Sequence, residues 1–182
     1  MLVWTPTSQA KGRPGTPAVT IYLQSGPTVP VTVLGRAQWV ATRIFASIGV
    51  PVKWHIGMER RARDEAAMTI EMQLVSGAPE TFHPGALAYS MPYGTAGTRI
   101  HVFCDRVLGV SSHELGGAYL GHVMAHEITH VLEGISRHSA EGVMKAHWDV
   151  NDFYQMVYRP LRFATRDVDL IYEAWERRKQ AD

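Results

Sequence analysis

The stretch HEITHVLEGISRH, residues 126–138, sets three histidines and two glutamates within thirteen positions. On a helix, His126 and His130 lie one turn apart on one face, where two imidazoles can share a tetrahedral ion at ~2.0–2.1 Å each. Glu127 is rotated by one residue, so its carboxylate stands beside such an ion and not on it. A base belongs there, to take a proton from a water whose pKa zinc lowers towards ~7 while it polarises a scissile carbonyl. Short H-E-x-x-H matches also arise by chance in polar helices. Here the other faces carry Leu120, Met124, Ile128 and Val131, so these histidines belong to a helix that packs.

His122 extends the row to an i, i+4, i+8 ladder, but its ends are ~12 Å apart at 1.5 Å rise per residue, too far for one ion. The pair 122/126 has Val123 where the base should be, so the pair 126/130 is preferred and His122 is expected to pack or to support the site. The similar HELGG at 113–117 has Gly117 in place of a second histidine and reads as a loop or a helix start. Cys104 is the only cysteine, which excludes an intramolecular disulfide and a thiolate metal cluster. Any metal must be held by imidazole and carboxylate. Cys104 itself lies in the apolar run RIHVFCDRV and reads as a buried strand residue.

The elements that must carry this helix are readable from periodicity. AVTIYLQ (18–24), VPVKWHIG (50–57), AAMTIEMQLVS (66–76), GALAYSMPYG (85–94) and TRIHVFCDRV (98–107) read as strands, the fourth leading into a glycine-rich loop. LGRAQWVATRIFASIG (34–49) has Trp39, Val40, Ile44, Phe45 and Ile48 at helical spacing and closes on Gly49. The HExxH helix is expected from about Ala118 to Glu133, stopped by Gly134. A last amphipathic helix begins at a Thr165 N-cap, with Val168, Ile171, Tyr172 and Trp175 on one face. Residues 1–17 read as a flexible arm, and 18–182 as a single domain of α+β class with one mixed sheet and helices largely on one side. The length of 182 residues suits one buried core.

The charge balance argues against some partners. Eighteen Lys and Arg against seventeen Asp and Glu leave a net charge of +1, so no basic field points to nucleic acid or an anionic membrane. ERRAR (59–63) reads as a solvated turn, and ERRKQ (176–180) as cations at a helix C-terminus. No apolar run approaches the ~20 residues of a membrane span. The first residues show no basic stretch followed by an apolar one, so no signal peptide is expected there, which leaves a secreted mature form open.

The segment 126–138 together with EGVM at 141–144 resembles the metzincin clan of zinc metallopeptidases, with its motif H-E-x-x-H-x-x-G-x-x-H and a later methionine turn. The resemblance implies His126, His130 and His138 as ligands of one catalytic zinc, Glu127 as general base, Gly134 as the helix-ending glycine and Met144 as the turn methionine. It implies a metzincin-like twisted sheet with an active-site helix, and a peptide or protein substrate held along the strand at 85–90. This chain departs from the pattern: both gaps around Gly134 are four residues and not three, and Ala146 stands where some members have a tyrosine. His147 or Tyr154 could fill that tyrosine's place. If His138 is not the third ligand, Glu133, Glu141, Glu173 or Glu176 would give a His₂Glu hydrolase. A catalytically silent zinc-stabilised binding domain is a further alternative, which the presence of Glu127 opposes.

Overall fold

A computed structural model describes residues 18–26, 29–57, 68–77, 85–91, 98–109 and 113–181. The expected arm at 1–17, the basic turn at 59–63 and the loop from Pro92 lie outside the described residues. Five strands, β1 (Val19–Ser25), β2 (Val52–Ile56), β3 (Met68–Val75), β4 (Ala88–Met91) and β5 (Thr98–Phe103), form one sheet in the order β2-β1-β3-β5-β4. All neighbours run parallel except β4, which is antiparallel to β5 at the sheet edge. Side chains alternate across a strand, so the register sorts the residues into two faces. Ile21, Leu23, Ile70, Met72, Leu74, Ile100 and Val102 enter one core. On the opposite face Tyr22 stacks on His55, Tyr89 stacks on His101, and Arg99 pairs with Glu71.

The core face is closed by α1 (Val31–Ala46) and α3 (His113–Glu133). Helix α1 buries Val33, Ala37, Val40, Ala41, Ile44 and Phe45, one stripe at i, i+4 and i+7 steps. Trp39, expected on that stripe, is half exposed and lies under the Arg36 guanidinium. Helix α3 meets α1 through Gly117 and Gly121. A Cβ on Gly121 would come within 2.7 Å of the Ala37 carbonyl and Val40, so glycine lets the two helices approach. The HELGG segment is therefore the start of α3, five residues earlier than Ala118, and Gly117 serves packing.

Three further points differ from expectation. The fifth strand ends at Phe103, and Cys104 opens a short helix, α2 (Cys104–Gly109); the thiol is buried, but at a helix start. A helix that periodicity did not single out, α4 (Val150–Tyr158), is nucleated by Asp149, whose carboxylate accepts the Asn151 and Asp152 N–H groups. In α5 (Thr165–Ala181), Thr165 is the first helical residue and Ala164 holds the cap position. The capping interaction runs backwards, the Asp167 carboxylate accepting the Ala164 N–H at 3.0 Å. Arg178, expected to complement its own helix end, donates to the Leu132 and Val131 carbonyls and so caps α3. Among the described residues no helix is long and apolar enough to cross a membrane.

Candidate metal centre

The last two turns of α3 carry His126, Glu127 and His130; a reversal at Gly134 (φ 70°) then brings His138 back towards them. One nitrogen from each of His126, His130 and His138 lies within 4.8 Å of the other two. The first two rings are fixed from behind. Nδ1–H of His126 donates to the Val143 carbonyl (2.9 Å), and that of His130 to the Ile135 carbonyl (3.3 Å). A carbonyl only accepts, so both rings carry their proton on Nδ1 and turn Nε2 inwards.

The two Nε2 atoms are 3.0 Å apart. A direct hydrogen bond between them would need a third proton and hence an imidazolium. Burial opposes this: it pushes the His126 pKa down to about 4, against the raising effect of the Val143 bond. Burial also lowers His130 and His138. Three imidazoles held neutral, with one nitrogen of each within 4.8 Å of the other two, fit a bound cation. Two ligands of a tetrahedral zinc would stand roughly 3.3 Å apart, close to the spacing seen. The donor set, all imidazole, suits zinc among the common ions.

Glu127 faces β4. The pairs Ala88↔Val102 and Ser90↔Ile100 put Ala88 and Ser90 on the core face of the sheet, towards α3, and the Ser90 hydroxyl donates to the Glu127 carboxylate. Burial raises the Glu127 pKa to about 7, the Ser90 bond lowering it in part. Two hollows share this centre. One of about 630 Å³ runs from Ala86–Ala88 past Glu127 to Tyr119, Trp148 and Phe153. The other, of about 480 Å³, lies between Ser90 and the turn at Gly134–Ser136. Ala88, His126, Glu127 and His138 border both.

The segment after His138 is tied into the core. Ser139 N–H donates to the Met144 carbonyl (2.7 Å), Gly142 (φ 74°) turns the chain, and Val143 N–H donates to the Arg162 carbonyl (2.9 Å). Met144 is fully buried. Trp148, which the sequence did not mark out, donates from Nε1 to the Gly142 carbonyl and packs its ring edge on Tyr119, His122 and His126. Its signal was weak: a lone tryptophan shortly after a turn.

The other candidates fall elsewhere. His122 is buried, donating from Nδ1 to the Ala118 carbonyl (2.7 Å) and accepting the Leu161 N–H at Nε2 (3.0 Å), so it is a packing residue. His147 borders the larger hollow beside His138. Tyr154 is exposed and packs on Tyr158. Glu133 is buried and outside the histidine cluster, Glu141 is exposed, and Glu173 and Glu176 pair with Arg166 and Lys179.

Fold and site together define a class: a mixed-sheet α/β domain with a three-histidine cluster formed by its central helix and the segment that follows it. The structure is similar to archaemetzincin from Methanopyrus kandleri, with a TM-score of 0.54 and 14% identity, over 90% of this chain and 98% of that one. It is also similar to metalloproteinase-II from Bacteroides fragilis, with a TM-score of 0.54 and 11% identity, over 93% of this chain and 55% of that one. At these identities the likeness is one of fold. By sequence, no family model and no curated protein matches the chain.

Proposed function

We propose that the chain is a zinc-dependent endopeptidase of metzincin type, with His126, His130 and His138 as ligands of one catalytic zinc and Glu127 as general base. The observation that carries this reading is the convergence of three imidazole nitrogens within 4.8 Å, next to a half-buried carboxylate that faces an edge strand. When bound there, zinc supplies Lewis acidity, polarising a carbonyl and making water a stronger acid. Glu127 takes the proton of the attacking water and returns it to the leaving amine. Its pKa, raised by burial to about 7 before a cation is bound, suits a carboxyl that both accepts and returns a proton, and the Ser90 hydroxyl holds it in place.

Strand β4 orients the substrate. Phe103 N–H donates to the Leu87 carbonyl, so Leu87 and Phe103 are a hydrogen-bonded pair, and Ala88, the next residue, turns its N–H and C=O away from β5. An extended peptide adds there as a further strand. Because hollows lie on both sides of the histidines, the chain can continue in either direction, which favours internal cleavage over trimming of an end. The test is metal analysis and a peptide-library digest of the protein and of Glu127→Gln. We expect about one zinc per chain in both, with hydrolysis by the first alone. Cleavage by zinc-replete Glu127→Gln would remove Glu127 as the base.

A further inference from the structure

His126 and His130 are each anchored through Nδ1, whereas the His138 ring has no hydrogen-bond partner among the described residues. His138 is also exposed and lies in an irregular segment, so no helix sets its direction, and its ring lies against those of His126 and His130 at 5.2 and 5.1 Å between centroids. Its two chain neighbours are held instead. Arg137 donates from both terminal nitrogens to Oδ1 of Asp167 (3.1 and 2.9 Å) and from both to the Ser139 hydroxyl (3.0 and 3.1 Å). The Ser139 hydroxyl donates to that same Oδ1. Asp167 is wholly buried at the start of α5, and its other oxygen accepts the Ala164 N–H.

We infer that Asp167 is the positioning residue for the third zinc ligand: one buried carboxylate oxygen grips the residue on each side of His138 and so aims the imidazole between them. Two charge-assisted bonds from one guanidinium fix direction as well as distance. Burial keeps water from competing for them. The same end of α5 reaches a second ligand: the Arg162 carbonyl, two residues before Ala164, holds Val143, and the Val143 carbonyl holds His126. The inference rests on the reading of His138 as a ligand.

Zinc affinity, measured by competition with a chromogenic chelator, and the visible spectrum of the cobalt-substituted protein test it. Wild type would be compared with Asp167→Asn, His138→Ala and Ile171→Val, a control that loosens α5 without touching the loop. Asp167→Asn is expected to bind zinc ~10–100-fold more weakly, the usual cost of losing support behind a ligand. Its cobalt spectrum should move towards that of His138→Ala. Ile171→Val should lower the melting temperature and leave zinc affinity within about two-fold, since it touches no ligand or ligand support. If Asp167→Asn does not fold, Ser139→Ala and Arg137→Gln, which leave α5 intact, should each weaken zinc and shift the spectrum in the same direction. Folded variants of this set with wild-type affinity and spectrum, beside a weakened His138→Ala, would overturn the positioning role alone. Wild-type zinc binding by His138→Ala would instead overturn the ligand assignment, and the inference with it.

Discussion

Glu133 closes α3 in an unfavourable place for a carboxylate, and replacing it should reveal how unfavourable. The side chain is 2% exposed, and neither oxygen has a hydrogen-bond partner among the described residues. It also stands at the negative end of the helix dipole. Burial raises its pKa from 4.5 to about 7, with Arg137 pulling it down and Asp167 pushing it up. An acid whose folded pKa is raised gives its full stability below the unfolded pKa and loses it as pH rises through the folded one. A gap of about 2.5 units at 1.36 kcal/mol each makes the ionised side chain cost on the order of 3 kcal/mol above pH 7, and nothing below pH 4.5. Glu133→Gln keeps the shape and removes the titration. The two proteins should therefore differ by a constant offset near pH 4.5, and the variant should gain about 3 kcal/mol relative to wild type by pH 8. For a chain of this length that is roughly 6–12 °C in Tm. Thermal and urea melts of both proteins in chelator, at several pH values, measure the difference free of metal binding. A difference that stays flat between pH 4.5 and 8 would show that water or a partner already solvates this carboxylate.

Other substitutions probe the packing and the strand. Met144 is fully buried, and thioether is a poor zinc ligand, so Met144→Leu should cost under about 1.5 kcal/mol in denaturant melts and keep zinc by metal analysis. Ala88→Pro removes an N–H that points away from β5, so zinc content should hold while kcat/KM on peptides falls about ten-fold, near the worth of one hydrogen bond. Two helical glycines, Gly35 and Gly121, should respond with opposite signs. Gly35, with nothing within 4 Å of an added Cβ, should gain up to about 1 kcal/mol on substitution by alanine. Gly121→Ala, whose Cβ would meet backbone and Val40 at 2.7 Å, should lose about 1–3 kcal/mol in the same melts.

What could be read from the sequence, and what could not, divides by the range of the interaction. The strands, α1 and the HExxH face follow from alternation and from the i, i+4 spacing, which depend on neighbours alone. Helix α4 escapes apolar periodicity because its apolar residues do not all face inwards: Met156 is buried while Val150, Tyr154 and Tyr158 are exposed. Its start is marked by Asp149 and Asp152, a capping pair that apolar periodicity does not see. Arg178 reads as serving its own helix end because the carbonyls it caps belong to α3, more than forty residues earlier. Asp167 left a faint trace. It shares a helical row with Ile171 and Ala174, both buried, and a carboxylate within an apolar row asks for a partner. The partner, Arg137, is thirty residues away and only the fold reveals it.

The unusual spacing around Gly134 is where these two ranges meet. One extra residue before the glycine lets α3 run on by ~100° before the chain leaves it. Gly134 N–H still bonds the His130 carbonyl at 2.9 Å, so the added residue is absorbed as regular helix. The extra residue after the glycine lies in irregular chain, which has no fixed rotation per residue. The direction of His138 then depends on the contacts that hold the loop. The Ile135 carbonyl turns back to His130 at the near end, and Arg137 and Ser139 reach Asp167 at the far end, so the three residues between Gly134 and His138 are held at both ends. A shorter loop can be aimed by its own turn. This longer one depends on a carboxylate from the last helix, which ties the departure in spacing to the burial of Asp167.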